Sequence, residues 1–160
     1  MKKSNRSIRR EGFTLVELLI VIVVIGILSA MMMLSSTEAV SSAKANNIVS
    51  NLRNLKTAAL SWYIDSIDSL PSSGLGNFGA DNNKYMAYVK KYLSNSNASD
   101  IADYQIGEYG SKWYLLYKGS DASNTSVLNK LNSRRQSVGL LKNDRTDATL
   151  TKDGVCILVR

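Results

Sequence analysis

The chain of 160 residues has no histidine, a single cysteine (Cys156), one proline and a formal net charge of +7. This length suits one main domain, and the absence of histidine removes the commonest general base and metal ligand. A single cysteine excludes an intramolecular disulfide and a CxxC-type zinc site. Because the sequence holds no nucleophile–base pair, P-loop or dinucleotide fingerprint, we expect neither catalysis nor a bound cofactor.

The positive charge is concentrated at the N-terminus. Residues 1–12 hold five basic side chains and one acidic side chain, whereas the rest of the chain holds 15 basic and 12 acidic side chains. A cluster of Lys and Arg just before an apolar segment keeps that end of a membrane helix in the cytoplasm. We therefore interpret the charge as a determinant of membrane topology, ahead of any affinity for nucleic acid.

Residues 13–34 form an apolar run in which Glu17 is the only charged side chain. As an α-helix, this run would span about 33 Å, which is enough to cross a bilayer. A cleaved secretory signal has a shorter apolar core and a better cleavage site than residues 28–30 offer. A plain membrane anchor does not explain Glu17, and a buried core helix does not explain the basic segment before it. The pattern predicts a membrane helix in which the carboxylate has a specific use.

The junction of the basic and apolar segments reads Gly12-Phe13-Thr14-Leu15-Val16-Glu17. Over residues 9–30, it resembles the N-terminal signature of type IV prepilins and the related pseudopilins. The resemblance implies that a prepilin peptidase cuts between Gly12 and Phe13 on the cytoplasmic side of the membrane, and that the new Phe13 amine is N-methylated. It also implies the pilin fold, an α+β fold with a long N-terminal α-helix and an antiparallel β-sheet head.

The resemblance divides the chain into three parts. Residues 1–12 would be a cleaved basic leader peptide, residues 13–34 the transmembrane and filament-core half of the N-terminal helix, and residues 35–160 the globular head with the amphipathic second half of that helix. The implied partners are other copies of the chain in a helical filament, prepilin peptidase, the inner-membrane assembly platform, membrane lipid before assembly, and minor pilins. DNA is a further candidate partner that no motif supports. The precursor would lie in the inner (cytoplasmic) membrane and the product in an extracellular pilus on the cell surface.

Four residues of the N-terminal region are candidate processing or assembly residues. Cleavage would create a charged amine on Phe13, and Glu17 is the nearest anion; the resemblance implies a pair with the amine of a neighbouring subunit, and a pair within one chain across a helical turn is the alternative. Gly12 lacks a Cβ, which lets a protease approach the backbone. Gly26 lies among β-branched residues, where the helix could lose its regularity inside a filament.

The rest of the chain predicts further helices and antiparallel strands. Residues 35–67 continue the first helix, which Pro71 and the loop 72–74 end, and a loop rich in Gly, Asn and Ser follows to residue 82. We then expect a helix at 83–93, a hairpin of strands 104–109 and 112–118, a helix from Asn124 to about Arg135, and a second hairpin at 148–159. The two hairpins would turn at Gly110-Ser111 and Asp153-Gly154, with the last strand central in the sheet because it is apolar on both faces.

The predicted apolar face of the first helix consists of Val40, Ala43, Asn47, Leu52, Leu55, Ala59, Trp62 and Tyr63.

Other residue types that can carry chemistry are expected to be structural. Asp65 and Asp68 lack a third ligand. The C-terminal carboxylates of Asp144, Asp147 and Asp153 lack the dense run of oxygen ligands that calcium prefers. We therefore expect no metal site. Cys156 is expected to be a small buried side chain, with an intermolecular disulfide as the alternative. The tyrosines and tryptophans are expected to pack between helix and sheet rather than conduct electrons.

Two dibasic pairs, Lys90-Lys91 and Arg134-Arg135, could contact DNA phosphates. Without an aromatic platform beside them, we expect both to be solvated surface.

As a whole, the sequence predicts a structural subunit of a type IV pilus filament that serves motility, adhesion or DNA uptake. The alternatives are a pseudopilin of a type II secretion system and a membrane-anchored binding domain that never polymerises.

Overall fold

The computed structural model describes residues 12–67, 75, 83–93, 101–148 and 150–160. Within these ranges the chain forms an α+β fold, as predicted, with helices and an antiparallel sheet. In chain order the elements are α1 (Leu15–Asp65), α2 (Asn83–Lys90), β1 (Tyr104–Tyr109), β2 (Lys112–Tyr117), a 3₁₀ turn (Ser120–Ser123), α3 (Thr125–Val138), β3 (Leu140–Lys142) and β4 (Val155–Leu158).

The prediction of one long N-terminal helix is confirmed, since α1 runs without a break for 51 residues. No proline interrupts the chain before Pro71, so each backbone N–H inside the helix can donate to the preceding turn. The chain divides into two compact units, and the boundary lies between Glu38 and Ala39. In the N-terminal unit, every side chain from residue 13 to residue 33 is exposed.

The second unit is built on the part of α1 that follows Ala39. Its buried side chains recur at spacings of three and four, as expected for a helix that packs along one stripe. The predicted positions Leu52, Leu55, Ala59 and Trp62 are confirmed, and Tyr63 packs partly buried against the same core. The buried residues of this stripe are Ser41, Ala45, Ile48, Leu52, Leu55, Ala59 and Trp62.

The predicted start of this stripe was wrong. Val40, Ala43 and Asn47 are exposed, and the stripe instead passes through Ala45 and Ile48. At about 100° per residue, the three mispredicted positions lie on the other side of the helix from Leu52. Two overlapping series of residues in α1 have helical spacing. Only the series through Ala45 and Ile48 lies on the same side of the helix as the buried residues that follow, from Leu52 to Trp62.

The sheet has the strand order β1-β2-β4-β3, and all its pairs are antiparallel. The first hairpin is confirmed, with a two-residue turn in which Gly110 (φ 55°) and Ser111 (φ 61°) are both left-handed; this turn type suits the twist of paired strands. The central position of β4, between β2 and β3, is confirmed as well. On one face of the sheet, Leu115 and Ile157 join the core that contains the α1 stripe.

The predicted C-terminal hairpin was wrong. The strand that pairs with β4 on its outer side is β3, with Leu141 opposite Cys156, and the segment before Asp153 contributes one isolated bridge, Thr151 to Gly154. Residue 149 lies outside the described residues. A strand of three residues carries too little alternation to be recognised in a sequence, and β3 forms because the left-handed Gly139 (φ 74°) ends α3 and redirects the chain.

The two shorter helices form close to their predicted positions. The Asn124 side-chain oxygen caps α3 by accepting hydrogen bonds from the backbone of Ser126 (2.9 Å) and Val127 (3.3 Å), and the helix continues three residues beyond Arg135. Helix α2 ends at Lys90, earlier than residue 93. Pro71, the predicted loop at 72–74 and the predicted loop that follows to residue 82 lie outside the described residues, apart from Leu75.

Replacing Gly154 with Ala is expected to destabilise the second unit. Gly154 has φ 127°, and an added Cβ would lie 2.8 Å from the backbone oxygen of Tyr117, which cannot move without breaking the sheet. We expect a loss of about 1–3 kcal/mol, measured as a lower midpoint of thermal unfolding in detergent micelles. Gly110→Ala is the matched control: its φ of 55° also strains an L residue, but no heavy atom lies within 4 Å of the added Cβ, so the steric contact of Gly154→Ala should make its loss the larger one. Equal losses from both variants would contradict the steric argument.

Candidate processing and assembly segment

The first turn of α1 is closed by reciprocal hydrogen bonds between Thr14 and Glu17. The Thr14 backbone N–H and hydroxyl both donate to Glu17 Oε2, at 2.8 and 2.9 Å, and the Glu17 backbone N–H donates to Thr14 Oγ1 at 3.2 Å. This arrangement is a capping box, in which a Thr before the helix and a Glu three residues later satisfy each other's backbone N–H groups. It explains why the helix begins at Leu15.

The capping box gives Glu17 a partner in the uncut chain, which the sequence interpretation did not foresee. The Thr-x-x-Glu spacing ahead of an apolar run is a known sequence signal for a helix start, and it would have identified Thr14. Only Oε2 is engaged; among the described residues, Oε1 of Glu17 has no hydrogen-bond partner. The carboxylate can therefore accept a further hydrogen bond without losing its contact with Thr14.

Gly12 and Phe13 precede the helix and are exposed. Neither is in a regular element, Phe13 retains 85% of its accessible surface, and an added Cβ at Gly12 would meet no heavy atom within 4 Å. The peptide bond between them is therefore open to an approaching enzyme in the part of the chain that the structure describes. Except for Gly12, the predicted leader (residues 1–12) lies outside the described residues.

The apolar part of α1 has no cover within the chain. Its window of highest hydropathy is wholly exposed, and among the described helices α1 is the one long and apolar enough to cross a membrane. Gly26 lies within this helix, and an added Cβ there would also meet no heavy atom within 4 Å. So large an apolar surface is stable in water only if lipid or other protein covers it.

Replacing Thr14 with Val is expected to loosen the first turn of α1. The change keeps the shape of the side chain but removes the hydroxyl that donates to Glu17 Oε2 and accepts from the Glu17 N–H. Loss of a cap of this kind costs a helix about 0.5–2 kcal/mol, so the Glu17 amide should exchange with solvent about tenfold faster in detergent micelles, as measured by NMR. Thr14→Ser, which keeps the hydroxyl, should retain slow exchange; equally fast exchange in both variants would contradict the capping box.

The acidic residues considered as metal ligands have separate partners. Asp144 accepts hydrogen bonds from Thr146, which hold the pKa of its carboxyl at about 2, and Asp153 accepts from the Thr151 hydroxyl at 2.9 Å. Asp147 is paired with Arg135, and the Tyr92 hydroxyl donates to Asp65. In the described ranges, no group of three or more His, Cys, Asp or Glu could hold a metal ion. Asp68 lies outside those ranges.

Cys156 is fully buried on the second face of the sheet, beside Tyr114 and Leu116. Its thiol donates to the backbone oxygen of Lys142 at 2.9 Å, and burial raises the pKa of the thiol to about 11. The prediction of a small buried side chain is confirmed. A disulfide with another molecule would require this face of the sheet to open.

The aromatic side chains form a packed cluster around Trp62. Its ring is 5.5 Å from Trp113 and 5.9 Å from Tyr88, and Trp113 contacts Tyr63 edge-on at 5.1 Å. The Arg160 guanidinium covers Tyr63 at 4.0 Å, a favourable cation–π geometry. The predicted packing between helix and sheet is confirmed, since Trp62 belongs to α1 and Trp113 to β2.

A polar pocket of about 440 Å³ lies beside α1. An ion pair of 2.7 Å between Lys44 and Asp121 borders it, together with the buried Tyr104 and Tyr117. Burial raises the pKa of the Tyr117 hydroxyl to about 12 and that of Tyr104 further still, so both hydroxyls are neutral at physiological pH. The pocket offers hydrogen bonds but no activated nucleophile.

Comparison with known families supports the reading of the N-terminal segment. Residues 8–33 match the family model described as the prokaryotic N-terminal methylation motif, the prepilin signature of type IV pilins and pseudopilins. No curated protein and no solved structure matches the chain. The match includes Gly12, Phe13, the Thr14–Glu17 capping box and most of the exposed apolar helix.

The chain therefore carries the signature of a prepilin, of the type IV pilin or pseudopilin-like kind. Such a signature indicates a structural subunit, and it implies cleavage by prepilin peptidase and assembly into a filament. The exposed apolar helix together with this motif fits a membrane-anchored precursor.

Proposed function

We propose that this chain is a structural subunit of a type IV pilus, used for motility, adhesion or DNA uptake. The observation that carries the proposal is the exposed apolar stretch of α1, which belongs to the matched prepilin signature and contains one carboxylate near its start. In the precursor, lipid would cover this stretch. In the filament, the same helices of neighbouring copies would cover it.

The proposed pathway begins with cleavage between Gly12 and Phe13 by the prepilin peptidase and N-methylation of Phe13. The assembly platform of the inner membrane then extracts the helix from lipid and adds the subunit to the growing pilus, which minor pilins can join. DNA uptake is retained as one use of the filament, and no motif of the sequence supports a direct contact of this chain with DNA. The mature pilus lies on the cell surface.

Glu17 is proposed to fix the height at which a subunit enters the filament. Its Oε1 atom is free to accept a hydrogen bond from the Phe13 amine of a neighbouring copy while Oε2 stays with Thr14. A pair of charges in an apolar core adds little stability, because removing both charges from water is costly. It is selective, however, because a subunit at the wrong height leaves both charges buried and unpaired.

Gly26 is proposed to let α1 adapt when it passes from lipid to the filament. Glycine and β-branched neighbours are poor helix formers in water, whereas in lipid the backbone has to remain helical because no other hydrogen-bond partner is present. Inside a protein filament, carbonyl and N–H groups near Gly26 could find other partners. A structure of the filament would show whether the helix is continuous there.

The test of the proposed function is to shear the surface of the native cells and to measure the intact mass of the released protein. A dominant species that begins at Phe13 and carries one extra methyl group is expected, and would establish a major pilin. A processed chain that stays in the cell envelope would instead favour a type II secretion pseudopilin or a minor subunit. A chain that keeps residues 1–12 would contradict processing and favour a membrane-anchored binding domain.

A further inference from the structure

A polar groove of about 360 Å³ lies between α1 and α3. On the α1 side, exposed residues recur at spacings of three and four and therefore share one face of the helix: Asn46, Ser50, Arg53 and Asn54. On the α3 side, the half-buried Arg134 lines the same groove. The groove thus combines two guanidinium groups with amide and hydroxyl groups, all of them in the second unit of the chain.

The positive charge of this groove is not compensated by the residues that the structure describes. Arg134 Nη1 donates to Asn46 Oδ1, which belongs to a neutral amide, and the Arg53 guanidinium has no described partner. No carboxylate occurs among the described residues that line the groove. Two uncompensated cations on one concave surface produce a local positive potential that attracts anions.

Some basic side chains of the second unit do have an acidic partner among the described residues. Three of them are paired with an aspartate at distances between 2.7 and 3.1 Å, namely Lys44 with Asp121, Arg135 with Asp147, and Lys142 with Asp144. Arg135, the direct sequence neighbour of Arg134, has an aspartate as its partner, whereas Arg134, which faces the groove, has a neutral amide as its partner among the described residues. Of these two adjacent arginines, Arg134 is therefore the one that no described carboxylate neutralises, which leaves it able to bind an external anion.

We propose that the groove between α1 and α3 binds a phosphate ester of a small hydroxyl-bearing molecule, such as a sugar phosphate. Guanidinium groups form paired hydrogen bonds with phosphate oxygens, and the groups of Ser50 and Asn54 suit the hydroxyls of an attached sugar. The groove is open to solvent along α1, where its polar lining residues are exposed, and its volume of about 360 Å³ falls in the range of small-molecule pockets. The groove is therefore larger than a bare ion needs.

The position of Arg134 suggests a competing, purely structural role. It lies just before the last turn of α3, where a positive charge also stabilises the partial negative charge of the helix end. That role concerns one arginine and needs no second guanidinium on α1. If the structural role were the only one, replacing Arg134 would lower the stability of the second unit, and replacing Arg53 would not change ligand binding. The two roles can therefore be separated by experiment.

The test is a titration of the unassembled full-length chain in detergent micelles with glucose 6-phosphate, glucose and inorganic phosphate, followed by NMR of the arginine and asparagine side chains. Glucose 6-phosphate should bind saturably and more tightly than inorganic phosphate, and glucose should not bind. Arg53→Gln and Arg134→Gln should each weaken the binding about tenfold or more, since each removes a charge-assisted contact. Arg135→Gln, which removes a paired arginine outside the groove, is the matched control and should bind normally.

Thermal unfolding of each variant, measured in the same micelles, verifies that the second unit is folded. Arg53→Lys keeps the charge on the exposed face of α1 and should retain part of the affinity, which distinguishes loss of geometry from loss of charge. The proposal is overturned if glucose 6-phosphate does not bind saturably, or if Arg135→Gln weakens binding as much as the groove variants do. The proposal is also overturned if a ten-nucleotide oligonucleotide binds far more tightly than glucose 6-phosphate, with a steep salt dependence and with a contribution from Arg135. The arginines would then belong to a general polyanion surface.

Discussion

Replacing Glu17 with Ala is expected to reduce filament yield about tenfold or more, while cleavage between Gly12 and Phe13 continues. The variant removes the anion that would accept the Phe13 amine of the neighbouring copy, and an unpaired charge inside an apolar core is strongly unfavourable. Cleavage should persist because Gly12 and Phe13 lie outside α1 and are exposed. The measurement compares the subunit in the sheared fraction with the subunit in the membrane fraction, and intact mass shows whether the membrane form begins at Phe13.

Glu17→Gln separates the charge of the side chain from its role in the capping box. The amide oxygen of Gln can still accept from the Thr14 N–H and hydroxyl, as Glu17 Oε2 does, so the helix should begin at the same residue. Filament yield should nevertheless fall as it does for Glu17→Ala, because the negative charge is gone. Normal filament yield from both variants would refute the argument that Glu17 sets the height of the subunit.

The parts of the fold that were predicted correctly depend on local sequence signals. The uninterrupted helix α1 follows from continuous apolar periodicity without proline, and the hairpin of β1 and β2 follows from alternation on both sides of Gly110 and Ser111. The Asn124 cap marks the start of α3 in the same way. Each of these features is specified within a few residues, so packing elsewhere in the chain changes little.

The errors concern features that only packing between distant segments decides. Strand β3 pairs with β4 across a loop, although a nearer segment before Asp153 has the better turn signal. The stripe of α1 was misplaced at Val40 because two apolar series compete, and contact with the rest of the core selects between them. Helix geometry fixes the spacing of such a stripe but not which side of the helix faces the core.

The processing and assembly roles of Gly12, Phe13 and Glu17 remain predictions, and Thr14 was not among the residues predicted. Gly12, Phe13 and Glu17 are identified by their order along the chain, and the structure adds the hydrogen bonds that connect Thr14 to Glu17. The groove that holds Arg53 and Arg134 could not be predicted, because these residues are 81 positions apart and meet only when α3 packs against α1. Proximity of this kind arises from tertiary contacts that a residue pattern does not specify.

Replacing Gly12 with Leu is expected to block processing, so that the full-length chain accumulates in the membrane and no filament forms. A protease has to bring its catalytic groups close to the backbone at the cleaved bond, and glycine allows this approach because it has no Cβ. The described residues give no other reason for glycine at this position, since an added Cβ would meet none of their heavy atoms within 4 Å. Intact mass of the membrane fraction would show the uncut chain, and unchanged thermal unfolding would show that the second unit is folded. Gly26→Ala, at another glycine with open space around it, should be cleaved normally; cleavage of Gly12→Leu at the wild-type rate would contradict this explanation of Gly12.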